Sequence, residues 1–124
     1  MPMKNGMEKL IKKAGTAYLY LPAEGDKFET EQDALEVVSM GMAQDVNRVL
    51  IRGERMADDF FRLRTGIAGS ILQKWAQYGM KVAMVLTEDK KKGKFEDFLA
   101  ETNRGNAFRT YTDEGEAEKW LLRE

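Results

Sequence analysis

Two short runs do most to limit the fold: RVLIR at 48–52 and KVAMVLT at 81–87. Val49-Leu50-Ile51 and Val82 to Leu86 are apolar at successive positions, without the alternation of a strand that has one wet face. Such strands need cover on both faces, as in a parallel sheet flanked by helices. Between them lies DDFFRLRTGIAGSILQKWAQYG, residues 58–79. Phe60, Leu63, Ile67, Ile71 and Tyr78 recur at steps of three, four and seven, with Phe61, Ala68, Leu72 and Trp75 as an adjoining stripe. The periodicity predicts one long core helix ending at Gly79, a suitable C′ residue. Gly66, Ala68, Gly69 and Ser70 leave the middle of its face small, where another backbone would fit.

The other elements fall around this centre. The segments 7–13 and 16–21 read as a hairpin joined by Ala14-Gly15. In its second strand Tyr18 and Tyr20 alternate with Leu19 and Leu21, and Pro22 ends it. Lys27-Phe28-Glu29 is a short extended piece. Thr30-Glu31-Gln32-Asp33 has capping-box spacing before a helix carrying Ala34, Leu35, Val38 and Met42. After the second buried strand come a charged loop (88–94), a helix with Phe95, Phe98 and Leu99 inward (95–104), a strand (107–111) and a final helix. Asp113 caps that helix, Glu116 takes the reciprocal position, and Ala117, Trp120 and Leu121 share its inner face. The order is β-β-α-β-α-β-α-β-α, an α/β fold with a mixed, mainly parallel sheet. An N-terminal antiparallel hairpin forms its edge and about four helices flank it.

Composition limits the chemistry more than the fold. The 124 residues form a single domain, 1–124, with 43% apolar and 33% charged residues and a net charge of −1. No global field favours nucleic acid, so none is expected as a partner. No apolar run approaches the roughly 20 residues that span a bilayer. The N-terminal stretch has no apolar signal core, which makes the cytoplasm the expected location and rules the membrane out as a partner. There is no cysteine and no histidine. Thiolate and imidazole nucleophiles, disulfides and most transition-metal sites are thereby excluded. No cofactor or metal is implied, and a non-enzymatic role is expected.

FFRLRTGIAGSILQKW (60–75), KVAMV (81–85), FEDFLAETNRG (95–105) and EQDALEVV (31–38) together resemble the bacterial family catalogued as domain of unknown function 4180. Its Phe-Phe-x-Leu-basic-Thr-Gly-aliphatic-Ala-Gly motif is matched from Phe60 to Gly69, with Ile71 to Lys74 continuing it. Glu101-Thr102-Asn103-Arg104-Gly105 is similar to a later family motif, with Thr102 in place of Ser. The order of elements is also similar to the STAS-like fold of anti-sigma-factor antagonists and SpoIIAA-like domains. That resemblance implies a regulatory, protein-binding module rather than an enzyme.

In a parallel sheet, ligands sit beyond the carboxyl ends of the strands. Arg52-Gly53-Glu54-Arg55 and Thr87-Glu88-Asp89 occupy two such ends, so a pocket is expected between them, under the start of the 58–79 segment. Arg52, Glu54, Arg64, Thr65, Gly66 and Thr87 are the candidate binding residues. The alternative is that they belong to ordinary charged loops. In the antagonists a phosphorylatable Ser-Gly opens a helix, and Thr65-Gly66 resembles it, which would make DDFFRL a separate turn before a helix beginning at Thr65. Here, however, Arg64 replaces an acidic-and-serine stretch and the preceding insertion is longer. Thr65 would then be a phosphorylation-like position; a plain N-cap, or a mid-helix Thr bonded to the Phe61 carbonyl, are the bland readings. Asn103, Arg104 and Gly105 read as a helix stop. The four lysines of 90–94 lack P-loop glycine spacing and read as a solvated loop. Asp58-Asp59 suits a helix first turn.

Three functions remain open. The first is a protein-interaction module that binds itself or another protein. The second is a small-molecule or phosphate-binding domain using the strand-end pocket. The third is a purely structural homo-oligomer, such as a homodimer, built on the Tyr18/Tyr20 hairpin face. Met40 and Met42, beside Gly41, offer an adaptable docking surface for the first.

Overall fold

The computed structural model describes residues 8–90, 94–102 and 105–123. Met7, most of the lysine loop, Asn103 and Arg104 lie outside them. The elements run β1 (Lys9–Lys13), β2 (Thr16–Leu21), α1 (Glu31–Ala43), β3 (Arg48–Arg52), α2 (Ile67–Gln77), β4 (Lys81–Val85), α3 (Lys94–Thr102), β5 (Phe108–Tyr111) and α4 (Glu114–Leu122). Ala14 and Gly15 both have positive φ, 54° and 76°, which matches the hairpin turn to the twist of the strands it joins.

The strands pair in the order β1-β2-β3-β4-β5, antiparallel at the hairpin and parallel elsewhere. Right-handed crossovers between strands that advance in one direction put every crossover helix on one side. Accordingly α1, α2 and α3 pack with Leu19, Leu21, Val49, Ile51, Val82, Met84 and Phe108 in one core. The opposite face, with Tyr18, Leu50, Ala83 and Val85, is covered by α4 through Ala117, Trp120 and Leu121. Val49, Leu50 and Ile51 are each fully buried, as their unbroken apolar run requires.

Both predicted helix starts are capped. Thr30 Oγ1 accepts from the Asp33 amide at 3.1 Å, and Asp33 Oδ2 accepts from the amides of Thr30 and Glu29 at 3.2 and 2.7 Å. Asp113 Oδ2 accepts from the Glu116 amide at 2.9 Å. The Glu116 carboxylate takes Lys119 at 3.2 Å, so the reciprocal half of that box is replaced by an i,i+3 pair.

The 58–79 segment is not one helix. Asp58–Phe61 and Leu63–Thr65 are separate 3-10 turns, Arg62 is extended, and α2 begins only after Gly66, whose φ of 73° is left-handed. The aromatic residues explain the break. Adjacent residues on a helix point about 100° apart, yet Phe60 and Phe61 both meet the Phe95 ring edge-on, at 6.0 and 5.4 Å. Thr65 then closes the turn. Its hydroxyl lies 2.8 Å from the carbonyls of both Asp59 and Arg62, and its oxygen accepts from the Ile67 amide at 3.2 Å. Two further expectations fail here. Tyr78 is 55% exposed rather than inward. Gly69 and Ser70 face solvent, and nothing lies within 4 Å of where a Gly69 Cβ would be, so no backbone approaches that stretch.

Gly41 is the glycine that a close approach requires. A Cβ there would sit 2.7 Å from the Val46 carbonyl oxygen, where the chain folds back so that the Val46 amide bonds Gly41 O at 2.9 Å. Glycine to alanine inside a helix ordinarily stabilises by roughly 0.5–1 kcal/mol. At Gly41 the sign reverses: Gly41→Ala is expected to cost about 1–3 kcal/mol in urea unfolding, because backbone must shift.

Candidate functional site

The carboxyl ends of β3 and β4 are brought together by Gly53. Its α-hydrogen faces the Leu86 side chain, and a Cβ would lie 3.1 Å from Val85 O. The chain then makes a 3-10 turn, Gly53–Arg55, and meets the 26–29 segment. Phe28 forms a parallel bridge with Met56, its amide bonding Arg55 O at 2.7 Å and its carbonyl accepting from Ala57 N at 3.0 Å. Arg55 pins this corner from inside. It is fully buried, its Nε donates to Asp26 O at 2.9 Å, and its guanidinium lies 4.9 Å from the centre of the Phe28 ring. Burial pushes its pKa down and the Glu8 and Asp26 charges oppose that, while a guanidinium keeps its charge, which the Asp26 carbonyl and the Phe28 ring help to solvate.

These segments enclose a cleft of about 140 Å³ floored by Met56, Phe61 and Leu86. Lys27, Glu54, Asp58, Thr87 and Lys90 form its rim. Most of the rim's polar atoms are already engaged. Lys27 Nζ donates to Glu54 O at 2.7 Å, Lys90 Nζ sits 4.8 Å over the Phe61 ring, and the Thr87 hydroxyl donates to Asp89 Oδ1.

Of the residues singled out in the sequence, Glu54 and Thr87 meet at this cleft. Arg52 projects to the other face of the sheet. There its guanidinium holds both Glu54 oxygens at 3.3 and 3.2 Å and Glu114 Oε1 at 3.3 Å, anchoring Glu54 from behind. Arg64, Thr65 and Gly66 are exposed and do not line the cleft, because the two 3-10 turns carry the chain past it before α2 starts. Lys27 and Lys90 were not singled out as site residues. The extended Lys27-Phe28-Glu29 piece was the available signal for Lys27, since an apolar residue between charges in a loop must dock somewhere. Met40 is buried in the main core, so only Met42 of that methionine pair faces solvent. Tyr18 and Tyr20 are covered by α4. Their hydroxyls donate to Glu118 Oε2 at 2.7 Å and Glu114 Oε1 at 3.2 Å, so within the chain α4 already occupies that face of β2.

The hydrogen bond from Arg52 is the main cause that holds the Glu54 carboxyl below its usual range. At neutral pH it is therefore a fixed anion and not a proton donor. Among the described residues no three acidic side chains gather to hold a metal, and no helix is long and apolar enough to cross a membrane.

A folded pKa below the unfolded one gives stability that is present above the ordinary value of 4.5 and lost as pH falls through the depressed one. Glu54→Gln should therefore cost a little at pH 7, well under about 1 kcal/mol for so exposed a pair. The stabilities of the two proteins should converge as the pH falls below 4.5, a trend that thermal melts at decreasing pH will show.

No curated protein matches the chain, and no solved structure does. A family model does, over residues 13–121, which span every strand and helix from the end of β1 to the end of the α4 core. The chain belongs to the family described as Domain of unknown function (DUF4180).

Proposed function

We propose that the domain is a non-catalytic, STAS-like regulatory module of the bacterial cytoplasm. It works by docking another protein at the end of the molecule where α1 and α2 finish. The observation that carries this reading is the exposure of Met42 and Tyr78, 71% and 55%. They flank the place where Gly41 meets the Met80 side chain, and the loops behind them are tied by Asn47 Nδ2 donating to Gly79 O at 3.0 Å. A flexible thioether beside an amphipathic ring on a rigid support suits an adaptable protein contact. The order of elements supports the STAS-like comparison, but a shared fold alone does not carry function. The chain's lack of histidine and cysteine, with Glu54 fixed as an anion, supports the non-catalytic part.

The strand-end cleft favours a second reading, a binding site for a small molecule or phosphate. Two ammonium groups, two carboxylates and a hydroxyl stand on an apolar floor there, at the position where open α/β sheets receive ligands. At about 140 Å³ it would take only a small group, well below the roughly 300–1,000 Å³ of ordinary ligand pockets.

Affinity capture from native lysate separates the two, with the intact chain as bait and Met42→Asp/Tyr78→Asp as control. The first reading predicts a stoichiometric protein partner that the double variant loses while its melting temperature holds. If the partner is a second copy of the chain, light scattering will show a dimer that the variant dissolves. Recovery of small molecules alone would overturn the first reading in favour of the cleft.

A further inference from the structure

The parallel register sets cations side by side at the amino end of the sheet, on the α4 face. Arg48 and Lys81 are direct partners on β3 and β4. Arg109 is paired with Ala83, two residues along β4 from Lys81 and so on the same face. Arg123, just past α4, completes the group. Lys81 Nζ and the Arg109 guanidinium both sit over the Trp120 ring, 4.7 and 5.4 Å from its centre. Like charges directly opposite on neighbouring strands are destabilising, so such a cluster needs an explanation.

Helix capping supplies part of it. Arg48 Nη1 donates to Leu121 O at 3.1 Å and Lys81 Nζ to Arg123 O at 2.7 Å, satisfying carbonyls at the end of α4. Arg109 Nε donates to Gly105 O at 3.1 Å. These bonds use one donor of each side chain and neutralise none of them. Among the described residues no carboxylate forms an ion pair with any of the four. The contrast within the same face is sharp. Arg52, at the other end of β3, is shared by Glu54 and Glu114. Burial, and then the three neighbouring guanidiniums, push the Lys81 pKa down.

A groove of about 370 Å³ opens over this cluster, lined by Lys81, Asn106, Arg109, Trp120 and Arg123. We infer that this groove is an anion site that takes a compact, multiply charged oxyanion, with a di- or triphosphate group as the ligand class. Guanidinium forks suit phosphate oxygens in pairs, while the ammonium acts as a point charge and the Asn106 amide adds a neutral donor. Cations already cover the ring, so Trp120 serves as a platform that holds Lys81 and Arg109 in place rather than a surface for stacking a base. The site lies on the face opposite α1 and α2 and does not depend on the docking surface at Met42 and Tyr78.

Pyrophosphate is the probe, titrated into the intact ¹⁵N-labelled protein at constant ionic strength with chloride as balance. The Trp120 indole N–H signal should shift saturably. The Trp75 indole should not, since its N–H is bound to Ala34 O at 3.1 Å in the other core. Melting temperature should rise with pyrophosphate, as for any ligand that binds only the folded chain. Arg109→Gln should weaken binding about tenfold, the worth of one charge-assisted hydrogen bond. Because Arg109 also holds Gly105, Arg123→Gln is the companion variant: its side chain is exposed, and it should weaken binding several-fold with an unchanged melt. Equal shifts with chloride or acetate would overturn the site, as would undiminished affinity in Arg123→Gln or no saturation by millimolar pyrophosphate.

Discussion

Strand order governs this molecule. Four parallel strands advance across the sheet in sequence order, and right-handed crossovers then leave α1, α2 and α3 a single side to occupy. The other side would be bare if the chain ended at β5. The short α4 closes it, burying Trp120 and Leu121 over Leu50, Ala83 and Val85. At roughly 1.5–3 kcal/mol for each large apolar side chain taken from water, those two side chains alone contribute an amount comparable to the net stability of a small domain. The helix is also tied polar group by polar group. Glu118 accepts from Lys13 and Tyr18 at 2.9 and 2.7 Å, Glu114 from Arg52 and Tyr20, and the terminal carbonyls from Arg48 and Lys81.

That arrangement gives the two ends of the sheet different electrostatics. Glu114 and Glu118, four residues apart near the start of α4, meet the cations and tyrosines of β1, β2 and β3. The helix runs out of acid before it reaches the amino ends of β3 and β4. There, among the described residues, the basic side chains meet backbone carbonyls, at the end of α4 and at Gly105, and the Trp120 ring. Opposite Arg52, the carboxyl ends of the same strands hold a small, largely self-satisfied cleft braced by the buried Arg55. Among the described residues, carboxylates pair with the cations of one end and not with those of the other, and the proposed anion site follows from the difference.

The element order was legible because each buried strand announces itself: Val49-Leu50-Ile51 cannot leave either face wet. The pairing order was not, since hydrophobicity reports burial and not which strand lies next to which. Periodicity also misled at 58–66. Phe60, Leu63 and Ile67 have helical spacing, yet Phe60 is buried, beside Phe61 and Phe95, and Leu63 partly buried against the main core from separate 3-10 turns. The left-handed Gly66 is what stops the continuation, and a glycine's φ cannot be read from its neighbours. The general rule for parallel sheets located the strand-end cleft, but its rim depended on the path of the 53–66 connection. Lys27 therefore reached the cleft and Thr65 did not. The basic cluster was missed for a related reason. RVLIR and KVAMV each open on one basic residue, and only the register sets Arg48 beside Lys81 with Arg109 diagonal to them.

The helix α4 is thus part of the cooperative core rather than an appendage on a finished sheet. Native-state hydrogen exchange in low denaturant tests it most directly, by comparing amides of α4 with those of β3 and β4. The Trp120 and Leu121 amides are expected to exchange only through global unfolding, with the same free energy and denaturant dependence as Leu50 and Ala83. Release of α4 in a separate, lower-energy opening while β3 and β4 stay protected would contradict it.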